Sequence, residues 1–340
     1  MTKIVIDALG ADLGCQMVAK ALDLAMREDD SFQAVLVGPE KLMTPYLQDH
    51  KDRIEFIDTE DQIDNNESPV SAIRTKKNSS MVLAFNRLNE DDCQALLSAG
   101  STGGLLAGAS LITKRIRGIK RCCLAGILPQ LDGGSLIVAD CGANMDTSPV
   151  MIFQFALLAS VYASEVLKED KPKIGLLSVG AEDHKGDKRT LEAHKLLRNS
   201  SLNFVGNVEA RDILSSHCQV LVTDGFSGNI AIKTLEGTAK ALMTLLKTTM
   251  YQSLKGKIAG LLIKGPLKEA LAPMDYRNHG GAPLMGARKA VYKAHGNSEE
   301  KTFAMAIKEC LAYARSGMED KVKKVISEIG NIDDENYEQG

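Results

Sequence analysis

The chain has 340 residues, of which 44% are hydrophobic and 25% charged, and its 41 Lys and Arg against 44 Asp and Glu leave a formal net charge of -3. That length can bury the core of one large or two modest domains, and the near-balanced charge gives no general affinity for nucleic acid. The longest nearly apolar run covers 14 residues, 150–163, and is broken by Gln154 and Ser160, which excludes a bilayer span of about 20 residues.

Asp7 falls where a secretory signal needs its apolar stretch, so no export signal is read and a cytoplasmic location is expected. The seven cysteines include no Cys-x-x-Cys pair and are odd in number, which argues against disulfides and a structural zinc. Cys93, Cys122 and Cys141 read as small buried hydrophobes.

In chain order, short β-branched or apolar runs at 4–8, 34–38, 54–58, 95–99, 136–140, 174–179 and 220–223 predict strands, with segments of helical period between most of them. Alternation of this kind predicts a mostly parallel sheet with crossover helices, a three-layer α/β/α sandwich of Rossmann-like type. Ser68-Pro69 predicts the start of a helix through Ala72, Ile73, Val82 and Leu83, and Ser148-Pro149 the start of another over 151–167. The runs at 122–128 and 135–139, joined by Leu131-Asp132-Gly133-Gly134, predict an antiparallel hairpin within the parallel sheet. One large domain is expected over 1–330, with a helical amphipathic protrusion near 246–274 and a flexible acidic tail over 331–340.

Ligands of an open α/β sheet bind beyond the carboxyl ends of its strands, and five predicted strands are followed there by unusual loops. These hold Gly10 and Asp12; Gly100, Ser101, Thr102 and Gly103; Gly142 and Asn144; Gly180, His184 and Lys185; and Ser227, Gly228 and Asn229 after Asp224. Glycine admits close backbone approach, and the hydroxyls and amides add donors, so the five loops are expected to converge on one rim as an anion site, most simply for phosphate. Taken singly, each loop also suits an ordinary turn or helix cap. Gly-x-x-x-x-Gly-Lys-Ser/Thr, a first-turn Gly-x-Gly-x-x-Gly, His-Glu-x-x-His and Gly-x-Ser-x-Gly are all absent, which disfavours a kinase-type cradle, a standard dinucleotide site, a metalloprotease and an esterase nucleophile.

These loops belong to a longer series of motifs. The series comprises Ile6-Asp7-Ala8-Leu9-Gly10-Ala11-Asp12, Glu67-Ser68-Pro69-Val70, Ser98-Ala99-Gly100-Ser101-Thr102-Gly103, Ile127-Leu128-Pro129, Asp140-Cys141-Gly142-Ala143-Asn144, Gly206-Asn207-Val208-Glu209, the 222–229 stretch, Tyr276-Arg277, Gly280-Gly281-Ala282-Pro283-Leu284 and Lys293-Ala294-His295-Gly296. In these the chain closely resembles the bacterial phosphate acyltransferases, from Lys3 to about Ile329. It departs from their pattern at Leu13-Gly14-Cys15, at Ser101 where asparagine is common, and at His184 where threonine is common.

The resemblance implies transfer of a long-chain fatty acyl group from acyl carrier protein to inorganic phosphate, giving acyl phosphate for phospholipid synthesis, with no metal or cofactor. It implies a fold like that of phosphate acetyltransferases and isopropylmalate dehydrogenases. On that reading Ser101, Thr102, Ser227 and Asn229 hold phosphate with Lys185 as cation, and Asp224 orients Lys185 or an arginine. Asn144 is then a candidate oxyanion donor, and His184 or His279 protonates the leaving thiolate. The carrier is acidic, so Lys114, Arg115, Arg117, Lys120 and Arg121, five cations in eight residues, suggest its dock; a charged helix C-terminus is the other reading. Leu254, Ile258, Leu261 and Leu262 at helical spacing with a lysine border suit a dimer contact, core packing or an anionic membrane surface. The family forms homodimers thought to act near membranes, which implies coupling to a membrane glycerol phosphate acyltransferase. A short-chain acyl coenzyme A donor, a non-catalytic carrier-binding or membrane scaffold, and an NAD dehydrogenase are the alternatives.

Overall fold

A computed structural model describes residues 1–64, 66–271 and 280–329. In chain order the first half contains β1 (Thr2–Asp7), α1 (Cys15–Glu28), β2 (Phe32–Gly38), α2 (Glu40–Met43), β3 (Ile54–Asp58), α3 (Pro69–Thr75), α4 (Ser80–Leu88), β4 (Ala95–Ser98), α5 (Thr102–Gly108), β5 (Cys123–Pro129), β6 (Ser135–Ala139) and α6 (Pro149–Glu165). The second contains β7 (Ile174–Ser178), α7 (Lys188–Arg198), β8 (Phe204–Glu209), β9 (Val220–Val222), α8 (Gly225–Tyr251), α9 (Leu254–Leu271), β10 (Gly281–Met285), β11 (Ala290–Ala294), α10 (Glu300–Arg315) and α11 (Met318–Ile329).

The strands form one 11-stranded sheet in the order β3-β2-β1-β4-β11-β10-β5-β6-β9-β7-β8. Every predicted strand is present, and 122–128 with 135–139 form the antiparallel β5–β6 hairpin. The helix expected through Ala72 to Leu83 is two, α3 and α4, interrupted at Lys76–Ser79, with Pro69 in the first turn of α3. At α6 the Ser148 hydroxyl accepts the Met151 N–H at 3.3 Å and Pro149 occupies the first turn, as the sequence predicts.

Strand direction overturns the single rim. β3, β2, β1, β4 and β11 run parallel, β10 is antiparallel to both β11 and β5, and β6 is antiparallel to β5. The second half-sheet, β6-β9-β7-β8, is internally parallel and therefore runs opposite to the first. Loops after β1 and β4 leave one way, and those after β6, β7 and β9 leave the other.

The two half-sheets are staggered, which brings these ends back to similar heights. Val35, Val5, Leu96, Val291, Leu284 and Leu124 form one continuous cross-strand row. Asp140, just past β6, lies beside Leu124, whose N–H it accepts. The first half's strands therefore end only about two residues beyond the height at which β6 ends.

Both faces are covered, so the central strands read as unbroken apolar runs. One face carries a continuous core that joins Ile4, Ile6, Leu36 and Leu97 to α1, α6 and α10. On the other face the core is split: Val5, Val35 and Leu96 pack under α4 and α5, whereas Leu136, Val138 and Leu221 pack under Ile232 of α8. Between them the sheet carries small residues, Ala282 of β10 and Gly126 of β5, and Ile232 of α8 packs over Gly126.

Gly108 fixes α5 against α4, because a methyl there would overlap the Phe85 ring. Gly108→Ala is expected to destabilise the fold by about 1–3 kcal/mol, the usual cost of overpacking. Phe85→Leu in the same chain should recover part of that loss in urea denaturation.

Candidate active site

One lip of the candidate site is built from three adjacent parallel strands. Asp7 of β1 pairs with Ser98 of β4, and Ser98 with Lys293 of β11, so the three side chains share a row and a face of the pleated sheet. The Ser98 hydroxyl donates to Asp7 Oδ2 at 2.7 Å and accepts the Gly100 N–H at 2.9 Å. Lys293 Nζ donates to the carbonyls of Ala99 at 3.1 Å and Ala294 at 2.5 Å. Burial pushes the Asp7 carboxyl up against the pull of the Ser80 and Ser98 hydroxyls, and it draws Lys293 down to about 8 although Asp12 and Asp7 oppose it.

The loops of this lip are tied to one another. The Asp12 N–H donates to the Gly296 carbonyl at 2.8 Å, and Gly10 lies so close to the Gly100 backbone that a side chain there would collide with it. Ser101 caps α5, its hydroxyl accepting the Gly104 N–H at 3.1 Å. Ser101, Thr102 and Gly103 remain half-buried, with Pro69 of α3 against Gly103.

The opposite lip comes from the loops after β6, β7 and β9. Asp140 is fully buried and accepts N–H bonds from Leu124 at 3.0 Å, Ala143 at 3.2 Å and Asn144 at 2.6 Å, as well as the Asn144 amide at 2.9 Å. Burial pushes this carboxyl up, and the four bonds hold it back. The other Asn144 amide hydrogen goes to the Cys122 carbonyl at 2.8 Å. With both hydrogens committed, Asn144 has none for an oxyanion: it braces the Asp140 loop, which corrects its expected role.

Asp224 caps α8 by accepting the Ser227 N–H at 2.9 Å, and its second oxygen pairs with Arg189 at 2.9 Å. The partner of Asp224 is thus an arginine in the first turn of α7. Lys185 is exposed, its stem lying against Gly180. Asn229 lies against Gly142, whose φ of 128° and tight surroundings suit glycine. From there α8 crosses the sheet: Ile232 covers Gly126, and Lys233 and Glu236 come within electrostatic reach of His295 just past β11.

The expected phosphate ligands are therefore divided between the lips. β4 and β9 stand five strands apart in the sheet order, so Ser101 and Ser227 come to the site from opposite half-sheets. Gly100, Ser101, Thr102 and Gly103 lie on one lip; Lys185, Asp224, Ser227, Gly228 and Asn229 lie on the other. His184 is exposed on the second lip, and His279 lies outside the described residues. Asp7, Ser98, Lys293 and Arg189 were not assigned roles from the sequence. A lone lysine in the apolar run Val291-Tyr292-Lys293-Ala294 was the available signal for one of them.

The basic segment 114–121 is an irregular loop, and the helical turns before it end at Thr113. Buried Ile116 and Ile119 anchor it, the Arg115 guanidinium donates to the Lys120 carbonyl, and Gln154 of α6 accepts the Lys120 N–H and donates to Gly118, each at 2.8 Å. Arg115, Arg117 and Arg121 are exposed, and the loop leads directly to Cys122 beside Asn144. In the α8–α9 protrusion Leu254 is 80% exposed, Leu261 76% and Leu262 73%, which removes core packing within this chain as the reason for these residues. Residues 272–274 of the expected protrusion lie outside the described residues. Among the described residues, no helix is long and apolar enough to cross a membrane, and no three His, Cys, Asp or Glu side chains gather as metal ligands.

Replacing Arg189 leaves the buried Asp224 carboxylate without its cation. Arg189→Met should cost about 1–3 kcal/mol, less than a fully buried pair because Arg189 is partly exposed, and Asp224→Asn in the same chain should recover part of the loss in urea melts.

A family model described as fatty acid synthesis protein matches residues 2–321. The phosphate acyltransferases of Clostridium novyi and Anoxybacillus flavithermus are each 41% identical to the chain, over 96% of its length and 99% of theirs. Among solved structures, a phosphotransacetylase from Streptococcus pyogenes superposes with a TM-score of 0.58 at 16% identity, covering 92% of this chain and 94% of that one. A branched-chain phosphotransacylase from Enterococcus faecalis gives 0.57 at 14% identity, covering 93% and 100%. These two likenesses establish the shared α/β fold. The identity to the curated relatives goes further: the chain is an acyltransferase that belongs to the fatty acid synthesis protein family, alongside the phosphate acyltransferases.

Proposed function

We propose that the protein transfers a long-chain fatty acyl group from the thioester of an acyl carrier protein to inorganic phosphate. A phosphate oxygen attacks the thioester carbonyl, the C–S bond breaks, and acyl phosphate and the carrier thiol are released. The observation that carries this reading is the pair of loop groups from the two opposed half-sheets, with an exposed lysine and helix-start donors in one and a fixed glycine turn in the other. Lys185 neutralises phosphate, with Ser227 and Asn229 adding donors near the start of α8. From the opposite lip the N–H groups of the Ser101–Gly103 turn meet the carbonyl oxygen as it gains charge.

A thioester is already activated, so orientation and oxyanion stabilisation are the main tasks, worth roughly 7–11 kcal/mol and about 3 kcal/mol per donor. The carrier thiol is a good leaving group, which makes the exposed His184 dispensable. The basic 114–121 loop docks the acidic carrier beside the Asp140 lip. The exposed apolar residues of α8 and α9, with their lysine border, serve a second copy of the chain and an anionic membrane surface.

The direct test mixes the protein with phosphate and either acylated carrier or acyl coenzyme A, then traps acyl phosphate with hydroxylamine. Hydroxamate should form with the long-chain acylated carrier. Preference for short-chain acyl coenzyme A would assign the other donor, and carrier binding without product would make the protein a scaffold. Lys185→Ala should raise the KM for phosphate about tenfold; an unchanged KM would remove Lys185 from the site. Charge reversal at Arg115 and Arg117 should raise the KM for acylated carrier at low salt, the effect shrinking as salt increases. An unchanged KM at low salt would move the dock elsewhere.

A further inference from the structure

Lys293 is half-buried at the end of a central strand, and acyl transfer as proposed gives it no task. Its contacts are specific. One peptide, Ala99–Gly100, is held from both sides: its carbonyl accepts from Lys293 Nζ and its N–H donates to the Ser98 hydroxyl, which in turn donates to Asp7. That peptide leads directly into the Ser101–Gly103 turn. Asp7 from β1 and Asp12 from the following loop face the ammonium, and His295 stands beyond it on the same strand. Lys233 and Glu236 of α8 and Glu309 of α10 act on His295.

Neutral donors could tie two loops together without the desolvation cost of burying a charge. A charged donor makes roughly twice as strong a bond to a carbonyl, and it also balances the two carboxylates. We propose that Lys293 is a positioning residue for acyl transfer, its ammonium clamping the Ala99–Gly100 peptide so that the Ser101–Gly103 turn is held in the geometry that acyl transfer uses. The proposal rests on the acyl-transfer reading of that site. Loss of the proton weakens the clamp and leaves Asp7 and Asp12 without their cation. Lys293 is held at about 8, so the turn is set at neutral pH and loosened above it. The second ionisation of inorganic phosphate lies on the acid side of this range and affects the opposite limb.

The test follows acyl phosphate formation from acylated carrier at saturating substrates, from neutral to alkaline pH. Quenched samples are trapped with hydroxylamine at one fixed pH, and thermal melts are recorded alongside. Wild-type kcat should fall by about tenfold per pH unit above about 8. Lys293→Met should lose about tenfold or more in kcat at neutral pH with little change in the KM for carrier, and it should lack the alkaline limb. Lys293→Arg keeps the charge, so it should recover most of the neutral rate and stay flat above 8. A Lys293→Met protein with wild-type kcat, or one that keeps the alkaline limb, would overturn the proposal. If neither variant folds, the wild-type profile decides: active enzyme with no limb near 8 overturns it. Wild type that yields no hydroxamate at any pH would instead overturn the acyl-transfer reading, and the proposal with it.

Discussion

The reversal of strand direction at β10 and β5 is the constraint on which the site depends. Had all eleven strands run one way, their carboxyl ends would have lined a single edge, open to solvent. Here two parallel half-sheets run in opposite directions and overlap in height, so the loops of one face those of the other across β10 and β5. The split core on that face follows from the same geometry: α4 and α5 cover one half and α8 the other, with Ile232 lying over Gly126 of β5. The grouping of the loops is thus a consequence of topology.

Charges along the lips are held by the backbone more than by each other. Asp140 collects three backbone N–H groups and an amide, and Lys293 donates to two carbonyls. Asp224 divides its oxygens between a helix N–H and Arg189. Such contacts offset desolvation and fix loop geometry at the same time. They also separate two kinds of polar residue. Asp7, Asp140, Asn144 and Asp224 are spent on structure, whereas Ser101, Thr102, Lys185 and Asn229 remain at least partly exposed.

Local pattern made β1 to β7 and β9, the Ser148-Pro149 helix start and the β5–β6 hairpin legible, because period and turn chemistry act over a few residues; β8 was not read as a strand. The β10–β11 hairpin was not legible as strands: its two five-residue runs carry Pro283 and Gly281, and their pairing is set by β4 and β5, far away in the chain. The glycine loops stand out in the sequence, but their grouping depends on strand direction, which no local pattern encodes. Asn144 resembled a donor because its type allows it, and only the Cys122 carbonyl and Asp140 beside it show that the donors are used. Arg189 lies in a polar helical turn like many others, and it is the fold that brings it to Asp224.

The measurement that tests the two-lipped site most directly is a crystal structure of the protein soaked with tungstate, a heavy mimic of phosphate. The anion should bind within hydrogen-bonding reach of Lys185 and Asn229, with open space between it and the Ser101–Gly103 turn for an acyl carbonyl. Tungstate bound only outside that site would contradict the account.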